Sequence, residues 1–109
     1  MTQYEIRWVT LPPPIGRRPV LLLTRPAAYE YLTKVVVAEV TTRVRGIPQE
    51  VALGRDEGLE RPSVANLDNL HVVPTGQLGE AIGMVKGPRH REVKRALGYA
   101  LDWAELKIL

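Results

Sequence analysis

The chain is 109 residues long, with 45% hydrophobic and 25% charged residues, the ordinary balance of a globular domain. It has no cysteine and two histidines, which excludes a disulfide framework, thiolate metal sites, thiol nucleophiles and a histidine-rich zinc site. The net charge is +3, no apolar run approaches the roughly 20 residues that cross a bilayer, and the N-terminus carries no secretory pattern. These features lead to the expectation of one cytoplasmic domain over residues 1–109 with no membrane contact.

Strands dominate the first two-thirds. Tyr4, Ile6, Trp8 and Thr10 alternate with Glu5, Arg7, Val9 and Leu11, the pattern of a half-buried strand. Pro12, Pro13 and Pro14 stiffen a turn that runs to Gly16. Val20 to Thr24 is a continuous aliphatic run with no solvent face, as in a buried central strand. Pro26 to Tyr31 opens with proline and reads as one short helical turn. Lys34 to Thr42, rich in Val and Thr, is the next strand, and Gly46 turns the chain. Gln49 to Leu53 follows, with Pro48 pushing it toward a sheet edge. Gly54 to Pro62 is a charged loop. Ser63 to Leu67 and His71 to Val73 read as two short strands around an Asp68-Asn69 turn, and Ile82 to Val85 as a last strand.

The period then changes. Val93, Ala96, Leu97, Ala100, Leu101, Ala104 and Ile108 recur at spacings of three and four, which predicts a helix over about 88–106 with Pro88 at its start. Gly98 costs about 1 kcal/mol relative to alanine inside a helix, so a close packing contact is expected there. The fold class is α+β and mainly β: a small, curled antiparallel sheet or barrel closed on one side by a C-terminal helix.

Several chemistries find no support. There is no phosphate-binding Gly-x-x-x-x-Gly-Lys loop and no dinucleotide fingerprint. Nothing in the spacing brings His71 and His90 together, so they read as packed or surface histidines. Asp56, Glu57 and Glu60 share a loop with Arg55 and Arg61, the mark of a solvated loop rather than a metal site. The charge distribution is more informative. Residues 1–54 carry seven basic against four acidic residues, while residues 55–109 carry eight of each. A localised basic surface suits a polyanion. Gly16-Arg17-Arg18-Pro19 and Thr41-Thr42-Arg43-Val44-Arg45-Gly46 place guanidinium groups and hydroxyls where strands meet loops. Two readings stand: arginine forks and threonine hydroxyls that grip phosphate, or edge charges that discourage sheet aggregation.

At these residues the chain resembles a known family. Ile6-Arg7-Trp8-Val9-Thr10-Leu11-Pro12 and Gly16-Arg17-Arg18-Pro19-Val20-Leu21-Leu22-Leu23 are similar to the opening of the MazF/PemK toxins. Val40 to Val51, Ser63 to Leu70, and Leu78 to Val85 followed by a helix continue the match in order. The resemblance spans about residues 4–101. It implies an SH3-like, PemK/CcdB-like barrel, usually a homodimer, and the toxin half of a type II toxin–antitoxin pair. It implies endoribonuclease cleavage of single-stranded RNA with no metal and no cofactor, and a cognate antitoxin as partner. By resemblance, Arg18 and Thr41 match the family's catalytic residues. Arg17, Thr42, Arg43, Arg45, Ser63, Asp68 and Asn69 would meet RNA or flank its surface. The chain departs from the family in its short Pro12 to Arg17 turn, which lacks the usual Glu, in Thr10 for the usual Asp, and in Asn69 for the usual Gln. A gyrase-binding toxin like CcdB, without nuclease activity, is the alternative from another class, and a non-catalytic RNA-binding paralogue is a third.

Overall fold

A computed structural model describes residues 1–109. Six strands, β1 (Glu5–Leu11), β2 (Gly16–Leu22), β3 (Lys34–Thr41), β4 (Glu50–Leu53), β5 (Ser63–Pro74) and β6 (Ala81–Met84), precede two helices, α1 (His90–Leu101) and α2 (Ala104–Lys107). The strands form one sheet in the order β4-β5-β3-β2-β1-β6, with every pair antiparallel. Thus β2 and β3 are central, as their aliphatic runs require, and β4 is an edge strand beside its Pro48. The turn expected at Pro26 is a short 3-10 helix, Pro26–Glu30.

Both faces of the sheet are buried. Val20, Leu21 and Leu22 are each fully enclosed, which explains a run with no polar interruption. Leu21 joins Ile6, Ala38, Val40, Val51, Ala65 and Leu67 in one cluster, which Val93 and Ala96 of α1 cover. Val20 and Leu22 join Val9, Leu11, Val35, Val37 and Val73 on the other face, beneath Ile15, Tyr29 and Leu78. Each buried Val, Leu or Ile among them contributes about 1.5–3 kcal/mol of burial free energy. The strand expected to be half-buried, β1, therefore supplies both clusters: Ile6 to one, Val9 and Leu11 to the other.

The sheet curls until the loop after β4 meets β6. Gly58, at φ +91°, lies against Gly83 so closely that a Cβ on Gly83 would stand 2.0 Å from the Glu57 carbonyl oxygen. The barrel closes here by backbone packing, and only glycine leaves room for it.

Three boundaries differ from expectation for identifiable reasons. β2 begins at Gly16, not Val20, because Arg17, Arg18 and Pro19 pair with Thr10, Val9 and Trp8 of β1. Ser63 to Leu67 and His71 to Val73 are parts of one strand, β5. The Asp68-Asn69 turn signal is real but acts as a bulge: Ala38 pairs with Leu70 while Glu39 pairs with Asn66, and the residues between are left out of the ladder. The Asn66 side chain accepts the Asp68 N–H at 2.9 Å and fixes that bend. The single helix expected over about 88–106 is divided at Asp102, whose left-handed φ of 57° ends α1. The chain then doubles back, and Leu106 packs on Gly98, where a Cβ would stand 2.6 Å from the Leu106 Cβ. The close contact expected at Gly98 is this one.

Candidate active site

Successive side chains of a strand point to opposite faces, and this divides the neighbours Arg17 and Arg18. Arg17 turns to the face of Trp8, where its guanidinium carbon lies 4.0 Å from the ring centroid. Arg18 shares the face of Val20 and Leu22. The β2–β3 ladder couples Leu22 to Val37 and Val20 to Glu39. Continued by two residues, that register sets Arg18 across from Thr41, just beyond the last paired residues. The β2–β3 pairing ends at Val20 and Glu39, and Arg18 and Thr41 lie two residues beyond it, where the two strands part.

Thr41 is pinned. Its Oγ1 accepts the Arg43 N–H at 3.1 Å, which leaves the hydroxyl proton for donation outward. Arg18 is anchored as well: its Nη1 donates to Glu39 Oε1 at 3.2 Å. The other carboxylate oxygen, Glu39 Oε2, lies 2.6 Å from His71 Nε2. Glu39 is 8% exposed, whereas the Arg18 and His71 side chains keep 29% and 25% of their surface. Withdrawing a carboxylate from water is costly unless it is paired, and here two partners share it. The Arg18 Nε is buried with no partner in the chain. A guanidinium has five N–H donors, so the pair with Glu39 leaves Arg18 able to hold an anion.

The remaining candidates fall in three places. Arg43 and Arg45 are exposed on the loop after β3, where Glu50 accepts the Arg45 and Gly46 N–H groups at 3.1 and 2.9 Å. Asp68 and Asn69 are exposed on the β5 bulge, which lies alongside Glu39. Thr42 and Ser63 line an open hollow of about 510 Å³ with Trp8, Pro19, Glu60 and Arg61. Ser63 itself is buried and donates to the Arg61 carbonyl at 3.0 Å. Arg17, Thr42 and Ser63 therefore gather around Trp8, away from the Arg18–Glu39 pair.

Glu39 is a candidate that the sequence reading passes over, and His71 is one that it weighs and sets aside as a packed or surface histidine. Glu39 is the one carboxylate inside the run Val35 to Val40, a signal that pattern reading could use. Its contact with His71 spans 32 positions and is set by β3–β5 pairing. His90 matches its bland reading: it stacks on Tyr4 at 3.5 Å and bonds the Val85 carbonyl at 2.7 Å. Glu57 does not lie in solvent as expected of its loop. It is buried, accepts the Gly54 N–H at 2.7 Å and pairs with Arg89 at 3.2 Å. No set of three His, Asp or Glu side chains is arranged to hold a metal ion.

Residues 2–101 match the family model described as PemK-like, MazF-like toxin of type II toxin-antitoxin system. Endoribonuclease MazF3 of Mycobacterium tuberculosis is 42% identical over 88 residues, covering 79% of this chain and 85% of the relative. The solved Mycobacterium tuberculosis toxin MazF-mt6 superposes with a TM-score of 0.84 at 38% identity, covering 90% of this chain and 96% of that one. An endoribonuclease from Mycobacterial species, solved in complex with its cognate antitoxin, gives a TM-score of 0.83 at 27% identity, covering 94% and 96%.

Proposed function

Because the chain belongs to the PemK-like, MazF-like toxins of type II toxin–antitoxin systems, we propose that it cleaves single-stranded RNA at a site built around Arg18 and Thr41. Its relatives are named endoribonucleases, and it is the endoribonuclease toxin of such a pair. The observation that supports this site is the β2–β3 register, which pairs Val20 with Glu39 and, continued by two residues, would bring Arg18 opposite Thr41.

RNA carries its own nucleophile. The 2′-OH attacks the adjacent phosphorus, the bond to the 5′-oxygen breaks, and the products end in a 2′,3′-cyclic phosphate and a 5′-OH. The protein must grip the phosphate and stabilise the charge that grows on its oxygens. Arg18 supplies a fixed cation in a half-buried setting, where such charge is stabilised more than in water. Thr41 donates a second hydrogen bond and orients the phosphate for in-line attack. Arginine stays protonated under all ordinary conditions, so Arg18 acts through charge and position. Arg43 and Arg45 hold flanking phosphates, which makes binding salt-dependent. Asp68, Asn69, Arg17, Thr42 and Ser63 belong to the wider RNA-facing surface in this proposal. Single strands are favoured because in-line attack needs a pliable backbone.

The partner is a cognate antitoxin, as in the solved complex of a relative. We propose that an acidic, partly disordered segment of it folds across the basic groove. The toxin would act as a homodimer in the cytoplasm, where its RNA is found. No helix is long and apolar enough to cross a membrane. The gyrase-binding alternative finds no favour among relatives named as endoribonucleases.

The test is incubation of purified protein with mixed-sequence single-stranded RNA in excess EDTA. Cleavage is expected, with 5′-OH ends. Arg18→Ala is expected to lose about 10²–10³ in rate, as when one preorganised charge stabiliser is removed. Intact RNA, or undiminished cleavage by Arg18→Ala, would overturn the assignment.

A further inference from the structure

Arg18 and Thr41 can hold a phosphate, but neither is suited to removing a proton from the 2′-OH at neutral pH. The His71 imidazole stands two hydrogen bonds away from Arg18. Arg18 and His71 are bridged by the two oxygens of one carboxylate, Glu39, at 3.2 and 2.6 Å. We infer that His71 is the general base of the RNA cleavage and that Glu39 is its positioning residue, an inference that rests on the ribonuclease reading of the same site.

The argument starts from the carboxylate. A carboxylate oxygen only accepts hydrogen bonds, so in this proposal His71 Nε2 donates to Glu39 Oε2 across the 2.6 Å contact. In the neutral ring the opposite nitrogen, Nδ1, then carries the lone pair, and the one side-chain hydrogen bond of His71 is that from Nε2 to Glu39. The His71 side chain is a quarter exposed, open enough to be met by a ligand. Glu39 is nearly buried, so its oxygens do not wander. A carboxylate that fixes the tautomer and aim of an imidazole is the arrangement a general base needs. The same carboxylate orients Arg18, which ties the base to the phosphate grip. Beside them, the β5 bulge at Asp68 and Asn69 leaves a stretch of strand unpaired where a nucleotide could lie.

The step balances as follows. His71 Nδ1 takes the proton of the 2′-OH as the 2′-oxygen bonds to phosphorus. The bond from phosphorus to the 5′-oxygen breaks, and that oxygen takes a proton from solvent water. His71 returns its proton to solvent, and the ring is again neutral with Nε2–H on Glu39.

The experiment first maps a cleavage site with the unaltered protein and confirms loss in Arg18→Ala. Failure at that stage would sink the ribonuclease reading itself. On the mapped RNA, His71→Ala is expected to lose about 10²–10⁴-fold in rate. Its affinity for the same RNA carrying one 2′-deoxy sugar at the scissile position should stay within about threefold. Added imidazole should restore cleavage in proportion to its concentration. His71→Gln, which keeps an N–H for Glu39, should fold and be as inactive. Glu39→Gln should lose less than His71→Ala. Folded histidine variants that cleave within threefold of the unaltered protein would overturn the inference. So would a loss that imidazole does not relieve. An RNA with sulfur at the bridging 5′ position needs no acid for its leaving group. Full recovery of His71→Ala on that RNA would make His71 the acid instead and overturn its assignment as base. Failure of His71→Gln to fold would assign the ring a structural role, with the same consequence.

Discussion

Replacing Gly83 by alanine tests the barrel closure directly. In an ordinary strand this change removes a flexible residue and stabilises by about 0.5–1 kcal/mol. Here the added Cβ would lie 2.0 Å from the Glu57 carbonyl oxygen and 2.7 Å from its carbon, with the Gly58 Cα at 3.2 Å. All three neighbours are backbone, so no flexible side chain can swing aside. Ordinary contact begins near 3.4 Å, and the two segments must part by more than 1 Å. Overpacking typically costs about 1–3 kcal/mol, and two opposed backbones place this site at the upper end. The steric term therefore outweighs the entropic gain. A net loss of about 2–3 kcal/mol follows, which at roughly 4 °C per kcal/mol lowers Tm by about 8–12 °C. The assay is urea unfolding with thermal melts, and the midpoint should fall without a change in slope. Gly76→Ala is the control, because nothing lies within 4 Å of its added carbon. It should stay within about 0.5 kcal/mol of the parent. A Gly83→Ala protein that melts with the control would refute the claim that backbone contact closes the barrel.

Other outcomes follow from the charges. Arg89 Nε and Nη2 grip Glu92 at 2.8 and 2.9 Å, and this pair holds the Glu92 carboxyl below its usual range. A depressed folded-state pKa gives stability that is present above the ordinary 4.5 and lost as pH falls through the lower folded value. Urea titrations should show Glu92→Gln flattening that acid limb, and an unchanged limb would refute the pairing. Burial pushes the Tyr29 hydroxyl up to about 12, so its contribution is whole below pH 10 and lost between 10 and 12. Tyr29→Phe should remove that alkaline loss, read by circular dichroism. Arg43→Ala and Arg45→Ala should each reduce the salt slope of single-strand binding by about 0.7. A slope that does not move in filter-binding isotherms would place those arginines away from the RNA.

The elements that could be read from the chain are those decided by local pattern. A mostly aliphatic run such as Val35 to Val40 calls for a buried strand, and it became the central β3 with only Val36 left exposed. The spacing of Val93 and Ala96 likewise placed α1 on the sheet. The departures come where tertiary pairing overrode a local signal. Asp68-Asn69 has turn chemistry, yet Val73 and Ala65 both had core positions to fill on either side. One strand with a bulge satisfies both. The helix periodicity continues past Leu101 to Ala104 and Ile108, but the chain bends at Asp102 and Ile108 ends 85% exposed. Repeating spacing alone does not reveal a left-handed residue. Glu39 was hidden for a different reason: a single acid in a strand has no partner that spacing can name.

The pair Arg17-Arg18 shows what assembles the site. Charge counting treats the two as one basic dipeptide and assigns the whole excess to one half of the chain. Strand geometry then sends them to opposite faces, and Arg17 spends its charge on the Trp8 ring. What would bring Arg18 to Thr41 in the proposed site is the pairing of Val20 with Glu39, two residues further in. That same pairing puts a carboxylate beside the arginine, which lowers the local positive charge. Net attraction to a polyanion is weakened at that point, while the aim of the guanidinium is fixed. For a phosphate-binding surface alone, a free arginine would serve better. An arginine tethered to a buried carboxylate that also holds an imidazole makes sense where the position of each group matters more than the sum of their charges, which is the requirement of catalysis rather than of binding.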